Sequence, residues 1–175
     1  MVVVGIDPGV VPAVCLLNHD GKRTRAQVVS LKGEQAVHSG SFEDELVRLL
    51  RNSTADKAIV EHVGPVAGQG LSSTARFMVA WGLIRGVLAG LEIPYVTVTP
   101  MVWKRDLLAE KYDLGRDEED AAKRKEIQKA SAVKFVRDNY PAVNLIRGRK
   151  TTPDHNMAEA VCLATWGSWH HEWED

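Results

Sequence analysis

The chain has 175 residues, 45% of them hydrophobic, which suits one compact domain with its own core. A net charge of −1 and an isoelectric point of about 6.6 do not announce a nucleic-acid binder, and no apolar run approaches the ~20 residues that span a bilayer. Charge is uneven, however: residues 101–150 hold 13 Lys and Arg against 9 Asp and Glu, which leaves the remainder at −5, so a basic segment adjoins an acidic remainder. Cys15 and Cys162 sit among apolar residues without zinc-ligand spacing, which predicts two buried thiols in a reducing compartment. The start MVVVGID lacks a basic region and a cleavage site, so the expectation is a soluble cytoplasmic protein without a signal peptide.

Residues 2–7 are β-branched and end at Asp-Pro-Gly, a strand followed by a turn. Residues 12–17 form a second strand, Asp20-Gly21 marks a hairpin turn, and residues 25–31 pair back as a third strand. A helix follows, with Ser41 as its N-cap and Asp44 and Glu45 in its first turn. KAIVEHV is a fourth strand and GPVAGQG a loop. A long helix runs from about Ser72 to Leu91, where Phe77, Trp81, Ile84, Leu88 and Leu91 form an apolar stripe. IPYVTVT is a fifth strand, and residues 100–110 and 117–139 read as helices. RGRKTT is a basic loop, with Thr152 and Pro153 as N-cap and first residue of a last helix reaching about Trp169. This order predicts an α/β domain over residues 1–175 with a five-stranded mixed sheet flanked by helices. Neither GxGxxG nor GxxxxGK[ST] occurs, which removes support for a nucleotide-binding loop.

Three acids interrupt apolar patterns. Asp7 and Glu61 each end an apolar strand, and Glu159 lies on the same helical face as Cys162, Leu163 and Trp166. Singly, each has an ordinary reading: a turn cap, a lysine partner, an edge position. A shared cation would offset the burial of all three, and hard Mg²⁺ or Mn²⁺ suits carboxylate oxygens. His155 and Asn156 fall near the face of Glu159 on a helix, whereas Asp154 reaches it only from a non-helical first turn and otherwise reads as a cap.

GIDPG, AIVEHV, GQGLSSTARFMVAWGLIRGVLAGL, VTVTPMVWK and DHNMAEAVCLA, in that order over residues 1 to about 167, resemble the RuvC-like Holliday-junction resolvases, most of all their phage-type members. The resemblance implies an RNase H-like fold, a homodimer, binding of four-way or other branched DNA, and paired symmetric cuts through two Mg²⁺ or Mn²⁺ ions per active site. It also implies no membrane association, and the host cytoplasm as location if the chain is phage-encoded. Asp7 matches the acid of the family's first strand and Glu61 that of the fourth. Glu159 matches the last acid of the C-terminal helix, as Glu where cellular enzymes have Asp. The remaining family ligand, Asp or His, lies three residues before that acid; Asn156 stands there, and Asp154 or His155 can substitute. The catalytic and metal-binding set is therefore Asp7, Glu61, Asp154 and Glu159, with His155 or Asn156 as alternatives for the fourth place.

On that reading, Gln69, Ser72, Ser73 and Arg76 open the long helix toward a phosphate. Lys104, Arg147, Arg149 and Lys150 track the DNA backbone. The run Lys123–Lys125 fits a solvated helix face equally well, and Phe77 fits the core better than a base stack. Competing readings are an RNase H-like nuclease for flaps, forks or RNA–DNA hybrids, and a junction-binding protein that does not cut. GIDPG alone also resembles the first phosphate loop of actin-like kinases, whose two lobes need a far longer chain.

Overall fold

The computed structural model describes residues 1–9, 11–20, 23–31, 41–62, 64 and 70–170, apart from the side chains of residues 41 and 73. Five strands, β1 (Val2–Asp7), β2 (Ala13–His19), β3 (Thr24–Ser30), β4 (Lys57–Glu61) and β5 (Tyr95–Val98), form one sheet in the order β3-β2-β1-β4-β5. The β3-β2-β1 half is an antiparallel meander, and β4 and β5 continue it in parallel with β1. Among the described residues, five helices cover the sheet: α1 (Ser41–Ser53), α2 (Leu71–Gly90), α3 (Pro100–Leu108), α4 (Ala121–Asn139) and α5 (His155–Trp169). This is the mixed, helix-flanked sheet of the RNase H-like α/β fold.

The central strand is apolar on both faces because both are covered. Side chains alternate along a strand, so Val4 and Ile6 point one way, into a core with Phe42, Leu46 and Leu50 of α1 and Ile84 and Leu88 of α2. Val3 points the other way, with Cys15, Leu17 and Ile59, into a core closed by Trp103, Phe135, Val136 and Leu163 of α3, α4 and α5. The same alternation puts Gly5 and Asp7 on the α5 face, and Ile59 and Glu61 with them. Trp81 and Leu91 of the expected α2 stripe pack at the edge of the first core, and Phe77 is half-buried. Both cysteines are buried and free.

Helix α5 lies directly on β1. A Cβ added to Gly5 would stand 2.1 Å from the Ala160 carbonyl oxygen and 2.4 Å from the Ala164 nitrogen. No side chain fits between this strand and this helix, so glycine sets their separation.

Two local expectations need correction. The last helix begins at His155, with Asp154 as its N-cap, because Pro153 bridges Ile146 and the Asp154 N–H donates to the Leu145 carbonyl at 2.8 Å. That pairing keeps Pro153 in a bridge and Thr152 in the bend before it, outside the helix. Helix α4 begins at Ala121, where Asp120 accepts from the Ala122 and Lys123 N–H groups. The expected hairpin joins β2 and β3, with the Asp20 N–H donating to the Arg23 carbonyl at 3.2 Å; Gly21 and Lys22 lie outside the described residues. No helix among the described residues is long and apolar enough to cross a membrane.

Gly5→Ala should lower the unfolding free energy by about 1–3 kcal/mol, the usual range for overpacking. Urea denaturation measures this, and wild-type stability in the variant would contradict so close a contact.

Candidate functional site

The parallel register of β1 and β4 pairs Gly5 with Ile59 and Ile6 with Val60. One step further along, Asp7 and Glu61 leave the sheet side by side, on the face that α5 covers. Glu159 precedes Ala160, the residue against Gly5, so the close strand–helix approach brings the third acid to the same end of the sheet. The three are only 4%, 7% and 7% exposed.

Burial raises the Asp7 carboxyl well above the usual carboxylate range, and the charges of Glu61 and Glu159 add to it. The Gly9 N–H, which donates to Asp7 Oδ1 at 2.9 Å, and the Lys104 ammonium pull the other way. Burial, with Glu159 close by, pushes the Glu61 carboxyl up to about 7. These mutual effects place the three acids within electrostatic reach of one another.

Helix α3 supplies partners to two of them from adjacent residues. The indole N–H of fully buried Trp103 donates to Glu61 Oε1 at 2.9 Å. The Lys104 ammonium pairs with Glu159 Oε1 at 2.7 Å and is itself 9% exposed. Lys104, expected on the DNA-facing surface, is thus a buried counter-ion of the acid cluster. Trp103 was not among the expected site residues; the signal was a tryptophan in an apolar setting, whose N–H needs an acceptor when buried.

The start of α5 divides the three candidates for a fourth ligand. Both Asp154 oxygens are engaged: Oδ1 accepts from the Asn156 and Met157 N–H groups, and Oδ2 pairs with the Arg147 guanidinium. Asn156 stands beside Asp7: a Cβ on Gly9 would lie 3.0 Å from Asn156 Nδ2 and 3.3 Å from Asp7 Oδ1. Its Nδ2 donates to the Val11 carbonyl at 3.1 Å, which ties α5 to the loop after β1. His155 is half-buried, and burial, with Lys129 nearby, holds its pKa below the usual value.

Of the remaining expected residues, some are exposed and others lie outside the described residues. Arg149 and Lys150 are exposed on the turn between Ile146 and Pro153, closed by the Lys150 N–H on the Arg147 carbonyl. Ser72 and Arg76 are exposed in the first turns of α2, which begins at Gly70 without a side-chain cap. Gln69 and the Ser73 side chain lie outside the described residues.

Carboxylates and a carboxamide are hard oxygen donors of the kind Mg²⁺ and Mn²⁺ take, and one ammonium in contact leaves the cluster short of positive charge. The donor set therefore fits such ions in chemistry. Among the described residues, no three His, Cys, Asp or Glu side chains are already grouped as a metal site. The acids are instead tied to separate partners, Glu61 to Trp103 and Glu159 to Lys104.

Comparison with protein-family models finds no match, and comparison with curated proteins finds none either. Solved structures do match in fold. A Thermus thermophilus RuvC structure superimposes with a TM-score of 0.64 at 18% identity, covering 97% of this chain and 95% of that one. T. thermophilus RuvC in complex with Holliday junction substrate gives 0.63 at 15% identity, over 97% and 94%. The yeast mitochondrial Holliday junction resolvase Ydc2 gives 0.54 at 12% identity, over 94% of this chain and 76% of that one.

Raised carboxyl pKa values mean that the folded protein holds protons the unfolded chain releases. The metal-free protein should therefore lose stability as pH rises from about 4 through the Glu61 value of about 7, and further as Asp7 ionises. Thermal melts in EDTA between about pH 5 and pH 8 should show a falling Tm, less steep in Glu61→Gln. A Tm that rises over that range would contradict the acid cluster.

Proposed function

We propose that the chain is a divalent-metal-dependent endonuclease that resolves four-way DNA junctions as a homodimer. The observation that carries the reading is the convergence of Asp7, Glu61 and Glu159, all buried, at one end of an RNase H-like sheet. Such a cluster disfavours the folded state unless a cation is its purpose. The likeness in fold to resolvases, one of them solved with a Holliday junction, supports the same reading.

Asp7, Glu61 and Glu159 would hold two Mg²⁺ or Mn²⁺ ions. Asn156 stands beside Asp7 and would add a fourth, neutral oxygen through its amide Oδ1, since its Nδ2 is taken by the Val11 carbonyl and Asp154 is engaged as helix cap and arginine partner. Metal ions held there would activate water for attack at neutral pH and would offset the charge developing on the leaving oxygen of a phosphodiester. The chain's own part is rigidity. β1 and β4 fix two carboxylates, α5 fixes the third, and the Trp103 N–H orients Glu61. Asp154 holds Arg147 and shapes the turn that carries Arg149 and Lys150, two exposed cations for the DNA backbone. Exposed Leu71, Met78 and Val79 on α2 support a second copy packing there, and a two-fold dimer suits a four-armed substrate cut in two opposed strands.

A labelled four-way junction and a matched linear duplex, incubated with wild type or Asp7→Asn in Mg²⁺, Mn²⁺ or EDTA, test the proposal. Expected are paired nicks in the junction alone, dependent on metal, and weaker by at least about a hundredfold in the variant. Binding without cutting in any metal would contradict the enzyme. Equal cutting of the linear duplex would contradict the junction.

A further inference from the structure

Lys104 belongs to two places at once. Its ammonium is buried against Glu159 in the acid cluster. The same residue lines an open groove of about 580 Å³ beside α3, together with Met101, Arg105, Arg116, Arg124 and Gln128. Three arginines and a lysine along one groove favour a polyanion. Arg105 is partly neutralised by Asp106, whereas the guanidinium of Arg124 is held by the main-chain carbonyl of Glu118, which leaves its charge uncompensated by that bond. An exposed methionine at the rim adds an apolar surface suited to a sugar or base. The groove therefore fits a nucleic-acid strand, with phosphates on its cations.

The acid cluster sees the same lysine differently. Of the three buried acids Lys104 contacts Glu159 alone, and Glu159 cannot give Oε1 to a divalent ion while Lys104 holds it at 2.7 Å. A lysine is a point charge on a flexible four-carbon stem, able to reorient about a fixed backbone. A phosphate in the groove offers it a second anionic partner.

We propose that Lys104 is an exchangeable counter-ion, which holds Glu159 while the groove is empty and passes to a nucleic-acid phosphate when a strand enters, freeing Glu159 for a divalent metal. Strand binding and metal binding then assist each other, and linkage makes the effect reciprocal. The site stays closed to free metal until substrate is in place. This inference rests on the metal-dependent nuclease reading above and adds to it an order of assembly. Lys104 acts here through Glu159, as a positioning residue.

Two binding measurements, neither of them activity, test it at one fixed pH near 8. Mn²⁺ is titrated calorimetrically into wild type and Lys104→Met without DNA, with Lys104→Gln replacing the methionine variant should that fail to fold. The lysine variant should bind Mn²⁺ at least about tenfold tighter than wild type, the direction opposite to structural damage. A labelled four-way junction is then titrated in EDTA with wild type, Glu159→Gln, Lys104→Met and the double variant. Glu159→Gln should tighten junction binding several-fold when Lys104 is present and not when it is replaced, as a double-mutant cycle reads. Equal or weaker Mn²⁺ binding by the lysine variants, or the same junction gain in both backgrounds, would overturn the exchange while leaving a metal-binding nuclease intact. No Mn²⁺ binding by any variant would overturn both the exchange and the metal reading.

Discussion

The separation between β1 and α5 governs everything at the site. Gly5 has no side chain, and the Ala160 carbonyl and Ala164 nitrogen fill the space where a Cβ would be. Two residues along the strand stands Asp7; one residue before the contact on the helix stands Glu159. The glycine contact therefore acts as a short lever arm, and any widening of it moves one acid away from the other two. Strand alternation does the rest, because residues 3, 5 and 7 of β1 and 59 and 61 of β4 share the covered face. A helix buried along nearly its whole length cannot slide to relieve the crowding, since close-packed interiors transmit strain.

The electrostatics follow from that geometry. Burial raises the proton affinity of Asp7 and Glu61, and the mutual repulsion of the acids adds to it. Helix α3 moderates the repulsion with one N–H and one ammonium from neighbouring residues, Trp103 and Lys104. A cluster of this kind does not stabilise a fold; breaking an apolar pattern three times at one point is the mark of a functional site. The moderation is also incomplete, since the Lys104 ammonium is in contact with Glu159 alone and reaches Asp7 and Glu61 only through space. That imbalance links the stability of the metal-free protein, its affinity for cations and its response to a polyanion in one set of groups.

Much of this was legible in the residues themselves. The three acids stood out because each interrupts a periodic apolar run, a signal that survives without any alignment. The five strands, the mixed character of the sheet and its flanking helices followed from strand and helix patterns of ordinary strength, whereas the order of the strands did not. What escaped was decided by tertiary contact. Thr152-Pro153 and Asp154 both carry helix-start signals, and the bridge from Pro153 to Ile146 settles between them. With the cap at Asp154, its carboxylate faces the helix N–H groups and Arg147. Lys104 reads as a surface cation because lysines usually are, and α3 is too short, at nine residues, for its pattern to say otherwise. Trp103 was hidden by the same shortness. The place of Asn156 beside Asp7 depends on the turn at Gly9 and on its bond to Val11, which no local pattern encodes.

Anomalous diffraction from crystals of the wild-type protein grown with Mn²⁺ and a short branched DNA tests the cluster most directly. Expected is anomalous density within coordination distance of Asp7, Glu61 and Glu159, with the Lys104 ammonium moved from Glu159 to a phosphate. Density absent from that cluster, with the Lys104–Glu159 pair intact under bound DNA, would contradict it.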